Sequence, residues 1–130
     1  MPRLVLSLAL ALAAAPAAAR TVTLPKAMLG VWAPEAEDCR DEAGRNTDSR
    51  VEVTPGSVGF YASIWTVRRW ERAGEVHRGR ASVAEEGESR PAPGRPLIAL
   101  RLRPDGRLEV RRERVEAEAF VRCPAGTQVR

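Results

Sequence analysis

A chain of 130 residues with 21 basic and 17 acidic side chains, and so a formal charge of +4, has room for one small domain and excludes two. Acidic and basic residues are interleaved throughout, without the basic block of a nucleic-acid binder, and no nucleic-acid partner is expected. Arginine outnumbers lysine 20 to 1, which reads as GC-rich, bacterial codon usage.

Met1-Pro2-Arg3 is followed by an apolar run from Leu4 to Ala15, broken only by Ser7, and then by Pro16 and Ala17-Ala18-Ala19. One positive charge, a short apolar run, a helix breaker and a small-residue triplet predict a secretory signal peptide over 1–19, cut between Ala19 and Arg20. Leu4 to Ala19 is 16 residues, short of the ~20 that span a bilayer, so no stable membrane insertion is expected after cleavage. The expected location is periplasmic or secreted, with 20–130 folding as a single domain.

Two cysteines in an exported chain read as a disulfide rather than as chemistry. A Cys39–Cys123 bridge would join the start of the domain to its end, and in the chain-entropy model a loop of about 85 residues gives ~4.5 kcal/mol. A redox pair wants Cys-x-x-Cys spacing and a catalytic thiol wants a histidine beside it. The chain offers neither pattern.

In chain order, Thr21 to Lys26 is an extended lead-in and Met28 to Ala33 a first short strand, with Gly30 inside it and Pro34 ending it. Glu35 to Ser49 is an acidic loop without either period, carrying Cys39 and room for one helical turn. It lacks the ligand spacing of a calcium loop. Arg50 to Thr54 alternates, with Val51 and Val53 on one face, and Pro55-Gly56 is a turn. The next segment is apolar on both faces, with Val58, Phe60, Ala62 and Ile64 against Tyr61, Trp65 and Val67. That predicts one strand, either buried on both sides or carrying a face-swapping bulge at Ala62 or Ser63. Val76 to Val83 is weakly apolar and reads as an edge strand, and Glu85 to Pro96 is a Glu/Gly/Pro-rich loop. Ile98, Leu100 and Leu102, then Pro104-Asp105-Gly106, then Leu108 and Val110 predict a hairpin with one oily and one charged face, its outside decorated by Arg/Glu pairs. Val115, Ala117, Ala119, Val121 and Cys123 share one parity of a last strand, and Pro124 onward is a frayed tail.

Seven or eight short strands, no long amphipathic helix, and cysteines at both ends together predict an all-β fold. The architecture expected is a small antiparallel up-and-down barrel closed by one disulfide. Closing the sheet removes its exposed edges.

Leu29-Gly30-Val31-Trp32 on the first strand and Arg122 near the end of the last resemble the calycin group: lipocalins, avidins and the small bacterial periplasmic proteinase inhibitors. The resemblance implies that Trp32 packs across one end of the barrel with Arg122 lying over it, so that Gly30, Trp32 and Arg122 are structural. The chain departs from that group in its shorter length, in lacking a central Thr-Asp-Tyr motif, and in its wider cysteine spacing. Gly-x-Trp with an early cysteine and Arg122-Cys123-Pro124 also resembles small exported bacterial proteins, and that likeness implies no activity.

His77 is the single histidine and has no metal-ligand spacing around it, so it reads as a surface or strand residue. There is no Gly-x-Ser-x-Gly, no phosphate-cradling glycine loop, and no carboxylate set in an apolar run. The expectation is therefore a non-enzyme without cofactor or metal. Three roles remain. One is an envelope binding module for a small apolar ligand, with Phe60, Tyr61, Ile64 and Trp65 as candidate lining. Another is an inhibitor of a protease or other hydrolase that binds an envelope protein through a loop. The third is a structural or stress-related envelope protein without a discrete ligand.

Overall fold

The computed structural model describes residues 20–42 and 47–129; the expected signal peptide, 1–19, lies outside the described residues. Ten strands follow in chain order: β1 Arg20–Val22, β2 Gly30–Ala33, β3 Val51–Thr54, β4 Ser57–Phe60, β5 Ser63–Val67, β6 Trp70–Ala73, β7 Val76–Glu85, β8 Leu97–Leu102, β9 Leu108–Arg112 and β10 Glu118–Arg122. The helical pieces among the described residues are 3₁₀ turns at Lys26–Met28, Ala36–Cys39 and Thr47–Ser49. Hydrogen bonding runs β1-β6-β7-β5-β4-β3-β2-β10-β9-β8, and a further β7–β8 pairing closes the ring. β5 and β6 lie end to end along one side of β7, and β1 sits beside β6 outside the ring. The result is a closed antiparallel barrel of eight strands, as expected.

Inward parity builds the core. Val51 and Val53 of β3, Val58 of β4, Trp65 and Val67 of β5, Ala81 and Val83 of β7, Ile98 and Leu100 of β8, Leu108 and Val110 of β9 and Phe120 of β10 are all buried in one cluster. The barrel is thus filled by its own side chains, as expected at this strand number. Each tryptophan buries its ring and satisfies its indole N–H: Trp32 donates to the Met28 carbonyl at 3.0 Å, Trp65 to Ser63 Oγ at 3.2 Å and Trp70 to the Pro55 carbonyl at 3.1 Å.

The β8–β9 hairpin forms as read. The Arg103 amide donates to the Arg107 carbonyl at 2.8 Å, and Gly106 takes φ +85° in the turn. Arg101 and Glu109 pair across its outside at 3.0 Å. The disulfide is present, with Cα atoms 5.3 Å apart.

Four local readings are corrected. The long apolar segment is two strands, because Tyr61-Ala62 makes a two-residue turn between Phe60 and its partner Ser63. Bulging occurs later instead. Val67 pairs with Ala81 and Glu71 with Arg78, so four steps on one strand oppose three on the other across Arg68-Arg69. Both arginines consequently face outward between buried Val67 and Trp70. Gly79 permits the bulged backbone to come close: a Cβ there would sit 2.8 Å from the Arg69 carbonyl oxygen and against Val67.

The segment expected at a sheet edge is instead central: β7 is the longest strand and pairs with β5, β6 and β8. Its inward residues His77, Gly79, Ala81 and Val83 are mostly small, which hides a central strand from a hydrophobicity count. The last strand also points the other way from the parity expected. Phe120 enters the core, while Ala119 and Val121 are only half-buried and Val115 lies in a turn. A single large aromatic outweighed several small residues of the opposite parity.

Candidate functional site

The two ends of the barrel differ, and the difference separates the structural residues from the candidate binding residues. At the base, the Lys26–Met28 turn leads into β2, and Trp32 is buried beneath it. Arg122, level with Trp32 in the β10–β2 pairing, holds its guanidinium 4.4 Å from the indole centroid. The same guanidinium donates through Nη1 to the Leu29 carbonyl at 2.8 Å and through Nη2 to the Ala27 carbonyl. Two features favour glycine at position 30. Its φ is +121°, and a Cβ there would lie 3.1 Å from Arg122 Nη1. Arg122 thus lies over the Trp32 ring, and Gly30 leaves it room.

Two tethers hold the loop after β2 and the C-terminal tail together. The Cys123 amide donates to the Val31 carbonyl at 2.9 Å while its sulfur binds Cys39. Arg50, 1% exposed, donates from Nε to the Asp38 carbonyl at 2.7 Å and from Nη1 to Asp41 at 2.9 Å and to the Gln128 carbonyl. The tail is thus pinned rather than frayed. Arg50 escaped the sequence reading because arginine ordinarily reads as exposed. Its partners stand 9 and 78 residues away, so no local pattern signals them.

The mouth, at the opposite end, is open. A shallow cleft there is lined by Pro34, Asp48, Phe60, Tyr61, Arg112 and Phe120 among others. The Arg112 guanidinium lies 4.3 Å from the Phe60 ring centroid and pairs with Glu118 at 3.1 Å. Phe60 in turn meets Trp65 edge-on at 6.0 Å. The four candidate lining residues therefore separate. Phe60 and Tyr61 border the mouth cleft, Trp65 is core beneath it, and Ile64 points away from the interior. Placing Ile64 and Tyr61 inside the barrel is corrected by their exposures of 54% and 52%. Val115, 44% exposed, lies in the β9–β10 turn at the same end. The exposed large apolar residues described thus lie at the mouth end, with Tyr61 on the cleft and Ile64 and Val115 outside it.

His77 is on a strand, as read, but it is buried at 7% exposure rather than on the surface. It borders an open groove near the base with Val22, Met28, Arg72, Glu75 and Leu102. Its Nδ1 has no hydrogen-bond partner. Burial, and secondarily the Arg72 charge, lower its pKa from the ordinary value. Among the described residues no three His, Cys, Asp or Glu side chains are grouped to hold a metal ion, and no helix is long and apolar enough to cross a membrane. Compared with protein-family models, curated proteins and solved structures, the chain matches none.

Proposed function

We propose that the chain is an exported, non-enzymatic binding module of the bacterial cell envelope, periplasmic or secreted, whose binding surface is the mouth of a calycin-like barrel. The observation that carries this reading is the mouth cleft, where exposed Tyr61 stands beside half-buried Phe60, with Ile64 and Val115 also exposed at that end of the barrel. Exposed apolar side chains grouped at one end of a small domain mark an interaction site more often than singly scattered ones do. The filled interior supports contact at the rim rather than enclosure of a ligand in a hollow barrel. The disulfide fits an oxidising compartment outside the cytoplasm.

The occupant favoured is a small apolar or aromatic group seated against Phe60 and Phe120, with Arg112 and Glu118 at its edge. A protein segment, as an inhibitor would engage, is the second reading, and it is favoured by Ile64 and Val115 lying outside the cleft itself. Thermal-shift and native mass spectrometry with a panel of lipophilic compounds, beside a pull-down from periplasmic extract, test the site. Binding that disappears in Tyr61→Ser/Ile64→Ser while the fold is retained supports the mouth. Binding unchanged in that variant overturns it, and a hit in only one of the two assays decides between the occupants.

A further inference from the structure

A second surface, which shares no lining residue with the mouth cleft, carries a charge anomaly. Arg68, Arg69, Arg78, Arg80 and Arg95 line one exposed groove on the outside of β5, β6 and β7 and the loop leading to β8, with Glu71 the one carboxylate among them. Five guanidinium groups against one carboxylate leave four positive charges, as many as the formal excess of +4 on the whole chain. The groove continues along β7 to Ala84 and the loop's Pro91, sharing Arg68, Arg80 and Arg95 with the first part.

Arginine is abundant everywhere in this chain, so abundance alone says little. Among the described residues, arginines without a carboxylate partner also occur elsewhere, at Arg20, Arg40, Arg107, Arg111 and Arg114; what distinguishes the groove is that five guanidinium groups line one cleft with a single carboxylate. Elsewhere Arg101 is matched by Glu109, Arg103 by Asp105, Arg112 by Glu118 and Arg50 by Asp41, all within 3.1 Å. In the groove, Arg80 reaches Glu113 only at 3.7 Å and donates to the Arg95 carbonyl, and Arg69 donates to Thr21 Oγ1. The side chains of Arg68, Arg78 and Arg95 have no hydrogen bond or ion pair among the described residues. The fold itself concentrates this charge. The bulge turns consecutive Arg68 and Arg69 outward, Gly79 allows that bulge, and β7 alternation sends Arg78 and Arg80 to the same outer face. Holding like charges together costs self-repulsion, which a bound anion would relieve.

We infer that this groove binds a linear acidic polysaccharide, its carboxylate or sulfate groups taken by forked guanidinium contacts. The lining runs from Arg78 to Ala84, about 20 Å of strand, room for an extended chain whose anions meet the arginines at the Arg78–Arg80 end and whose neutral part lies along Ser82 and Ala84. No aromatic residue lines the groove to stack bases, which disfavours single-stranded nucleic acid. No exposed large apolar residue lines it to enter a lipid surface. The inference is independent of the mouth site, whose residues it does not share.

The test is calorimetric titration of the folded, oxidised protein with oligogalacturonate and with dextran sulfate at about 0.15 M salt. An oligothymidylate and phosphatidylglycerol vesicles serve as comparators. Arg68→Ala/Arg80→Ala/Arg95→Ala is expected to weaken polysaccharide binding by roughly tenfold to a hundredfold. The equally charged variant Arg40→Ala/Arg103→Ala/Arg111→Ala is expected to change it less than about threefold, as is Tyr61→Ser/Ile64→Ser. All replaced groove residues are exposed, and near-ultraviolet circular dichroism checks that both triple variants fold. Equal losses in the two triple variants would assign binding to net charge and overturn the groove. Tighter binding to the oligonucleotide or the vesicles, or no polysaccharide binding at all, would overturn the ligand class.

Discussion

The base and the mouth of this barrel are made from the same strands, yet they use aromatic residues and arginines in opposite ways. At the base Trp32 is sealed, and Arg122 is fixed over it by two backbone carbonyls and the ring. At the mouth Phe60 is only half-buried, Arg112 lies over it beside a carboxylate, and Tyr61, Ile64 and Val115 face solvent. One arginine–aromatic contact therefore closes an end of the barrel, while the other borders an opening. The same contact type is read as structure where backbone carbonyls complete it and as a binding edge where solvent does.

Substitutions at the two ends should separate accordingly. Trp32→Ala removes the largest fully buried side chain and is expected to cost about 3–5 kcal/mol in urea unfolding, enough to leave little folded protein. A loss under about 1 kcal/mol would mean that the base is not a packed plug. Breaking the Cys39–Cys123 bridge, as the double serine variant, should cost about 2–4 kcal/mol and lower the melting temperature, because it frees a separation of 84 residues. An unchanged midpoint would show that Arg50 alone suffices to hold the loop and tail.

His77, near the base, links stability to pH. Its folded-state pKa is lowered, so the unfolded chain binds the proton more readily. Stability from the neutral ring is complete above an unfolded pKa of about 6.5 and declines as pH falls below it towards the folded value. His77→Gln should flatten that dependence between neutral and mildly acid pH in thermal melts; a slope identical to the parent's would assign it to carboxylates. The smallest effect belongs to the mouth. Tyr61→Ser/Ile64→Ser should shift unfolding by no more than about 0.5 kcal/mol per site, since both side chains are exposed. A large shift would make these residues part of the core after all.

Legibility followed the range of the physics. The β8–β9 hairpin was readable because period-two alternation and a Pro-Asp-Gly turn are local signals, and the outer Arg101–Glu109 pair follows from them. The closed barrel was readable from short alternating strands and from cysteines at both ends of the domain. The turn at Tyr61-Ala62 was not, because neither residue takes positive φ and no glycine, asparagine or proline marks it. The mouth cleft was half legible for the same reason. Phe60 and Tyr61 were picked out for their aromaticity, but the missed turn put Ile64 on the wrong side. The basic groove was spread over positions 68 to 95 and became visible only when the bulge and the pairing of β7 brought its arginines together.

Amide hydrogen exchange resolved along the chain tests the asymmetry of the two ends most directly. The account expects the amides of β2 and β10 near the base, Val31, Trp32 and Cys123 among them, to exchange only with global unfolding. The mouth turns at 61–62 and 113–116 should exchange by local opening, orders of magnitude faster. Equal protection at both ends, or faster exchange around Trp32 than around Tyr61, would contradict the division between a sealed base and the mouth proposed for binding.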